Sequence, residues 1–207
     1  KRPGRSQLWH LTAQLSYAVV IGTAILRGVV DLRPARDDDS EVVAAIYIDS
    51  WNQGFGHLLG IRQHSAERID RWSADLASPA TEWTVAEVEG RVVGFIGIGP
   101  SRDPVDPALG ELDTIAVDPS RWRQGVGRAL TVRGLDQLSA KWNQAILWTP
   151  ANHPRGHRFY EAMGWRQLER TRYSGTEVAF GRRLQRTVRW RHDQRNQYHS
   201  ADGSAWS

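Results

Sequence analysis

Glu111-Leu112-Asp113-Thr114-Ile115-Ala116-Val117-Asp118-Pro119-Ser120-Arg121-Trp122-Arg123-Gln124-Gly125-Val126-Gly127-Arg128-Ala129-Leu130 is the stretch on which the reading of this chain turns. Its first seven residues have the apolar and β-branched content of a strand, Asp118-Pro119 ends it, and Val126, Ala129 and Leu130 resume on one side of a helix. Between them, Gly125 and Gly127 allow something to approach the backbone closely. The first N–H groups of the new helix have no partner within it and favour an anion. Arg121, Arg123 and Arg128 add charge, which suits a phosphate or pyrophosphate.

Spacing separates the phosphate-binding possibilities. A dinucleotide fingerprint needs a small residue three positions after Gly127, where this chain has Leu130. A P-loop needs Gly-Lys-Ser/Thr, which is absent. A tight strand-to-helix turn without a ligand stays open on these residues alone.

Composition narrows the classes further. The 207 residues, 40% of them hydrophobic, fit one domain with tails. The chain has no cysteine, which excludes disulfides, thiolate nucleophiles and cysteine metal sites. The net charge is +4, but it sits at the ends. Residues 1–28 carry Lys1, Arg2, Arg5 and Arg27 with no acid. Residues 182–207 carry six arginines against Asp193 and Asp202, so the stretch between is left at −4. An acidic middle suits a cationic amine better than a nucleic acid. Residues 1–28 read as an N-terminal extension whose apolar run, Leu15 to Leu26, is shorter than the ~20 residues a span needs, so no membrane role is expected. The basic segment 185–207 reads as a solvated tail, with RNA or an acidic partner as the alternative.

Along the intervening stretch, Val30 to Ala35 reads as a strand and Asp39-Ser40 opens a helix through Trp51 that gives way to a turn over Gly54–Gly60. A second helix runs from Ser65 to Leu76 before Pro79. Trp83 to Val88 and Val92 to Ile98 form a hairpin about Glu89-Gly90, and a polar loop, Pro100–Gly110, leads to the central strand. Ala145 to Thr149 is a buried strand, Pro154 to Met163 a helix stopped by Gly164, and Trp165–Leu168 and Val178–Leu184 are final strands.

Pro119 through Leu130 resembles the acyl-CoA-binding motif of the GNAT superfamily of N-acetyltransferases, Q/R-x-x-G-x-G/A after a hydrophobic-x-Val-x-Pro strand end. Trp122 stands where that motif has Gln or Arg. Ser50-Trp51 with Leu58-Leu59-Gly60, Val85–Phe95, and Arg158–Trp165 resemble further segments of the family in the same order. The resemblance covers roughly residues 30–184 and implies an α/β fold. What it implies is a single GNAT-like domain, residues 29–184, with a central mixed, largely antiparallel twisted sheet of about seven strands flanked by about four helices.

The resemblance also implies an activity: acetyl transfer from acetyl-CoA to a primary amine, in the cytoplasm, without a metal. The acceptor is a small-molecule or a protein amine, and a homodimer stays open. A GNAT-fold module that binds acyl-CoA without turnover is the alternative. By the resemblance Glu111 is the general base, commonly acting through water, and Tyr160 the acid. A phenol of pKa near 10 can donate to a thiolate whose conjugate acid is near 8.5. Asp113, two residues beyond Glu111, shares its face, and His57 and His153 are reserve bases read as surface histidines. The backbone of Ile115, Ala116 and Val117 would take the pantetheine arm as an added strand, Asn152 would bind it, and Arg123, Gln124, Gly125, Val126, Gly127, Arg128 and Ala129 would hold the phosphates. Trp51, Phe55 and Asp113 belong to the acceptor side.

Overall fold

In the computed structural model, which describes residues 29–185, the chain runs β1 (Asp31–Pro34), α1 (Ser40–Leu59), α2 (Ala66–Ala77), β2 (Glu82–Val88), β3 (Arg91–Arg102), β4 (Val105–Val117), α3 (Val126–Lys141), β5 (Gln144–Pro150), α4 (Pro154–Ala162), β6 (Arg166–Arg172) and β7 (Glu177–Arg183). The readings of residues 1–28 and of the tail from Arg186 lie outside the described residues. The seven strands form one sheet in the order β1-β2-β3-β4-β5-β7-β6, antiparallel throughout except where β4 meets β5. Element order and sheet size agree with the α/β expectation.

Each face of the sheet carries its own core. On one side α1 and α2 cover Val85, Phe95 and Ala116 with Val43, Ala44, Ile46 and Trp72. The Trp72 ring packs edge-on against Tyr47, Trp83 and Phe95 at centroid distances of 5.2, 5.3 and 5.1 Å. On the other side Leu130 and Leu138 of α3 pack on Ile96, Ile98, Leu112 and Val117, and the cluster continues to Leu147, Phe180 and Trp165. The two cores fix the register, because a one-residue slip would swap the side chains of a strand between cores packed for different neighbours.

Local signals set most boundaries. Glu89 and Gly90 both have positive φ, 53° and 73°, as a two-residue hairpin turn requires. At the end of α4, Gly164 takes φ 81° while its N–H bonds Glu161 O at 2.9 Å and the Trp165 N–H bonds Tyr160 O at 3.0 Å, a Schellman stop.

Two expectations are corrected. Helix α1 continues through Gly54 and Gly56 to Leu59 instead of turning there. Gly56 is a packing glycine: a Cβ on it would sit 2.6 Å from Ile61 Cδ1, so it lets the chain fold back over the helix. The polar loop expected over residues 100–110 is mostly strand. Past an irregularity that leaves out Pro107, Ala108 and Leu109, Ser101 pairs with Asp106 and Arg102 with Val105. Glu111 is thus inside β4 rather than at its start.

Candidate active site

The site begins with a parting of strands. β4 and β5 pair only at Gly110–Ala145 and Glu111–Ile146, and beyond that point the two strands diverge. On its other edge β4 stays paired with β3 as far as Val117–Gly94, with Asp113 left out between the Gly97–Thr114 and Ile98–Leu112 pairs as a bulge. Asp118 N donates to Val93 O at 2.9 Å, so Asp118–Val93 and, two residues back, Ala116–Phe95 are the hydrogen-bonded pairs. The N–H and C=O groups of Ile115 and Val117 therefore point away from β3 into the gap. Ala116, expected among the ligand-binding residues, instead gives its main chain to β3 and its side chain to the core beneath α1 and α2.

At the upper end of the gap the chain passes through a short 3-10 turn, Pro119–Arg121, anchored by Asp118, whose carboxylate accepts from Ser120 N at 2.8 Å. Arg123 and Gly125 then take left-handed φ of 65° and 89°, and α3 starts at Val126 with Gly125 as its N-cap. Ala129 N closes the first helical bond, to Gly125 O at 3.0 Å, which leaves the N–H groups of Val126, Gly127 and Arg128 without a partner inside the helix. Trp122, the departure from the motif, donates its indole N–H to Val117 O at 2.7 Å and is covered by the Arg155 guanidinium at 4.0 Å. It occupies the last carbonyl of the open edge and holds a cation over the turn.

Lower in the gap, Glu111 is 4% exposed. The tip of the β3–β4 hairpin lies over it: Arg102 N donates to Glu111 Oε2 at 2.8 Å, the Arg102 guanidinium stands 3.5 Å from Oε1 and also pairs with Asp113. Burial raises the proton affinity of Glu111 above that of an ordinary carboxylate, against the pull of the Arg102 amide and guanidinium. Asp113 is raised for the same reason, with Arg102 opposing. Tyr160, on α4, packs against Phe159 and Phe180, and burial pushes its phenol up to about 12. Its hydroxyl has no hydrogen-bond partner among the described residues.

On the α1 side, Trp51 and Phe55 stack at 5.2 Å, and Phe55 meets the His153 ring at 4.4 Å. His153 is not the surface residue expected. It caps α4 with its ring lying on Gly156, its Nδ1 buried without a partner, and its pKa lowered to about 4, first by burial and then by His157, Arg155 and His57. Asn152 sits on the exposed turn before it, and His57 is exposed at the end of α1. Sequence reasoning missed Arg102, Arg62 and the burial of His153, because each acquires its surroundings from a segment distant in the chain. Among the described residues no group of three or more His, Asp or Glu could hold a metal ion, and no helix is long and apolar enough to cross a membrane. A large open groove of about 1850 Å³ between α3, β6 and β7, lined by Val132, Leu135, Leu168 and Arg182 and reaching Arg128 and Ile146, does not have Glu111 or Tyr160 in its lining.

Comparison with known proteins agrees with this architecture. The N-acetyltransferase YuaI of Bacillus subtilis, whose description is uncharacterized, is 28% identical over 139 residues, 65% of this chain and 79% of the relative. A mycothiol acetyltransferase of Acidothermus cellulolyticus is 32% identical over 159 residues, 72% of this chain and 46% of the relative, so the chain spans about half the length of that protein. Among solved structures, PaiA N-acetyltransferase from Thermoplasma acidophilum in complex with coenzyme A superposes with a TM-score of 0.58 at 15% identity over 75% of this chain and 99% of the other. YncA from Salmonella typhimurium with its cofactor acetyl-CoA gives 0.60 at 17% identity over 77% of this chain and 96% of the other. The family model described as Acetyltransferase (GNAT) family matches residues 43–165, from the first turn of α1 to the Schellman stop, and the chain belongs to that family of acyl-CoA-dependent acyltransferases.

Proposed function

We propose that the chain moves an acetyl group from acetyl-CoA to a primary amine by direct attack, with Glu111 as the base and Tyr160 as the acid. The observation that carries this reading is the gap between β4 and β5. One wall of it is the β4 edge at Ile115 and Val117, where the Val117 carbonyl is taken by the Trp122 indole, its upper end is the Gly125–Arg128 turn, and Glu111 lies at its lower end. These residues fit an acyl-CoA: the free edge suits an amide-bearing arm laid down as an added strand, and the outward amides with Arg123 and Arg128 suit its phosphates. When bound, acetyl-CoA supplies the electrophilic thioester.

The protein's part is to manage protons. An alkyl amine of pKa about 10.4 is almost entirely protonated at neutral pH, so a group must remove its proton. Glu111 is suited by a proton affinity raised through burial, and with the hairpin tip above it the proton reaches it by way of water. Asp113 adds a second carboxylate that attracts the ammonium form. Tyr160 stays protonated throughout neutral pH, and its unpartnered hydroxyl is available to the departing sulfur. Intact Glu111 and Tyr160 favour an enzyme over a module that only binds the acyl-CoA. A donor of this kind also suits a reaction in the cytoplasm.

Two substitutions test the assignment. Tyr160→Phe removes only a hydroxyl that bonds nothing in the fold, so kcat should fall about 10²-fold or more with the melting temperature and acetyl-CoA affinity retained. Glu111→Gln keeps an acceptor for Arg102 N and should abolish the acid limb of the kcat/KM profile while lowering its plateau. Wild-type turnover in the phenylalanine variant, or an unchanged acid limb in the glutamine variant, would remove that residue from the mechanism.

A further inference from the structure

Among the arginines of the described fold that are held by several side chains at once, three answer acids. Arg33 pairs with Asp39 and Glu87, Arg102 with Glu111 and Asp113, and Arg172 with Glu177 and Asp103. Arg62 is the exception. It follows α1 in the connection to α2, and its backbone is clamped at both ends by one side chain: Asn52 Nδ2 donates to Arg62 O at 2.9 Å and Arg62 N donates to Asn52 Oδ1 at 2.7 Å. A third bond, Trp51 Nε1 to Gly60 O at 3.1 Å, fixes the connection two residues earlier. The guanidinium lies 3.3 Å over the Trp51 ring and 5.1 Å from the centre of Tyr47, and it donates to the Tyr47 hydroxyl. No carboxylate pairs with it among the described residues.

This placement is ready for an anion. Stacking and the clamp have already removed much of the rotamer freedom that an arginine otherwise loses on binding. The Tyr47 hydroxyl takes one donor site of the fork, and the remaining N–H groups are free for a planar bidentate partner. Its position ties it to the reaction site through packed rings: Trp51 touches Phe55, and Phe55 touches His153 at the head of the helix that carries Tyr160. Exposed Leu58, Leu59 and Ile61 flank it and offer apolar surface to the rest of a ligand.

Resting on the proposed transferase reading, we infer that Arg62 is the carboxylate-recognising residue of the acceptor site, and that the acceptor is an amine bearing a carboxylate, of the amino-acid class. The two ends of such a zwitterion would be recognised by opposite charges, the carboxylate by Arg62 and the ammonium by the Glu111–Asp113 pair. The acidic balance of the central stretch and the single unpaired clamped arginine are then two halves of one specificity.

The test compares the twenty amino acids with their carboxamides, on the wild-type chain and on Arg62→Ala and Arg62→Lys. Two measurements are made: acetyl-CoA-dependent thiol release, and ligand-observed NMR binding in the presence of coenzyme A. Charged bidentate contacts of this kind carry roughly 10- to 100-fold in affinity. At least one amino acid should therefore exceed its amide by that factor in kcat/KM and in binding. Arg62→Ala should bring the amino acid down to its amide's level, largely through KM, and Arg62→Lys should restore part of the difference. Unchanged melting temperature and coenzyme A affinity would show that the variants fold. Acetylation of amides as fast as amino acids would overturn the inference and leave the transferase reading intact. Amino-acid binding lost in Arg62→Ala, but without turnover by the wild type, would support the carboxylate site and overturn the transferase reading. Absence of both binding and turnover for every amino acid would overturn the inference.

Discussion

His153 illustrates how one side chain takes its character from its neighbours. Its ring lies on Gly156, where any Cβ would come within 2.3 Å of Nδ1, so glycine there is what allows the histidine to fold onto its own helix. Burial first, and then His157, Arg155 and His57, disfavour the imidazolium, and the pKa falls to about 4. The residue is thus neutral near pH 7, a packed ring rather than a proton shuttle. The unfolded chain, with an ordinary histidine near 6.5, binds more protons than the folded one between that value and about 4. Folding stability should therefore fall as pH drops from about 6.5 to about 4. Urea midpoints measured across that window should show a shallower slope in His153→Asn, and identical slopes would mean that the imidazole titrates normally in the fold. The sequence alone marked His153 as a base in reserve, because the ring that packs on it, Phe55, lies on α1, nearly a hundred residues away.

β4 and the turn after it show which features of an element are legible and which are not. The strand, the Asp118-Pro119 break, the glycine turn and the start of α3 were readable because each is decided by residues within a few positions. The extension of β3 and β4 beyond Pro100 was not, since three prolines and several charges obscure a pairing that depends on the hairpin tip closing over Glu111. The end of α1 was hidden likewise: Gly54 and Gly56 read as a turn, whereas contact with Ile61 makes Gly56 part of the helix packing. That misreading also concealed Arg62. Within the turn the two glycines have different duties. Gly125 has φ 89°, so Gly125→Ala should cost about 1 kcal/mol of stability and weaken coenzyme A binding by tilting the first amides of α3. Gly127 lies inside the helix, and a Cβ there would meet Phe159 Cζ at 3.6 Å and Val117 Cγ2 at 3.7 Å, ordinary contacts. Gly127→Ala should stay close to wild type in both urea denaturation and calorimetric coenzyme A affinity. Equal losses in the two variants would show that lack of a side chain, not backbone conformation, is what the turn requires.

On the scale of the whole molecule, the two cores on opposite faces of the sheet keep β3 and β4 in register, and the loss of pairing between β4 and β5 creates a gap that both faces can reach. The start of α3 and the partly buried Tyr160 lie on the α3 and α4 side, while α1 carries Trp51 and Phe55 on the other. In the proposed reading donor and acceptor enter from opposite faces and meet at the gap, the arrangement that direct transfer needs. The element order, the family motifs and the acidic central charge were all visible in the sequence; the covered carboxylate and the clamped arginine needed the fold. The measurement that tests the account most directly is acetyl-CoA-dependent thiol release by the purified chain, with a broad panel of amines set against a no-acceptor control. The account predicts release above the control that requires an amine and declines sharply in Tyr160→Phe. No release with any amine, together with a melting temperature that acetyl-CoA does not raise, would contradict it.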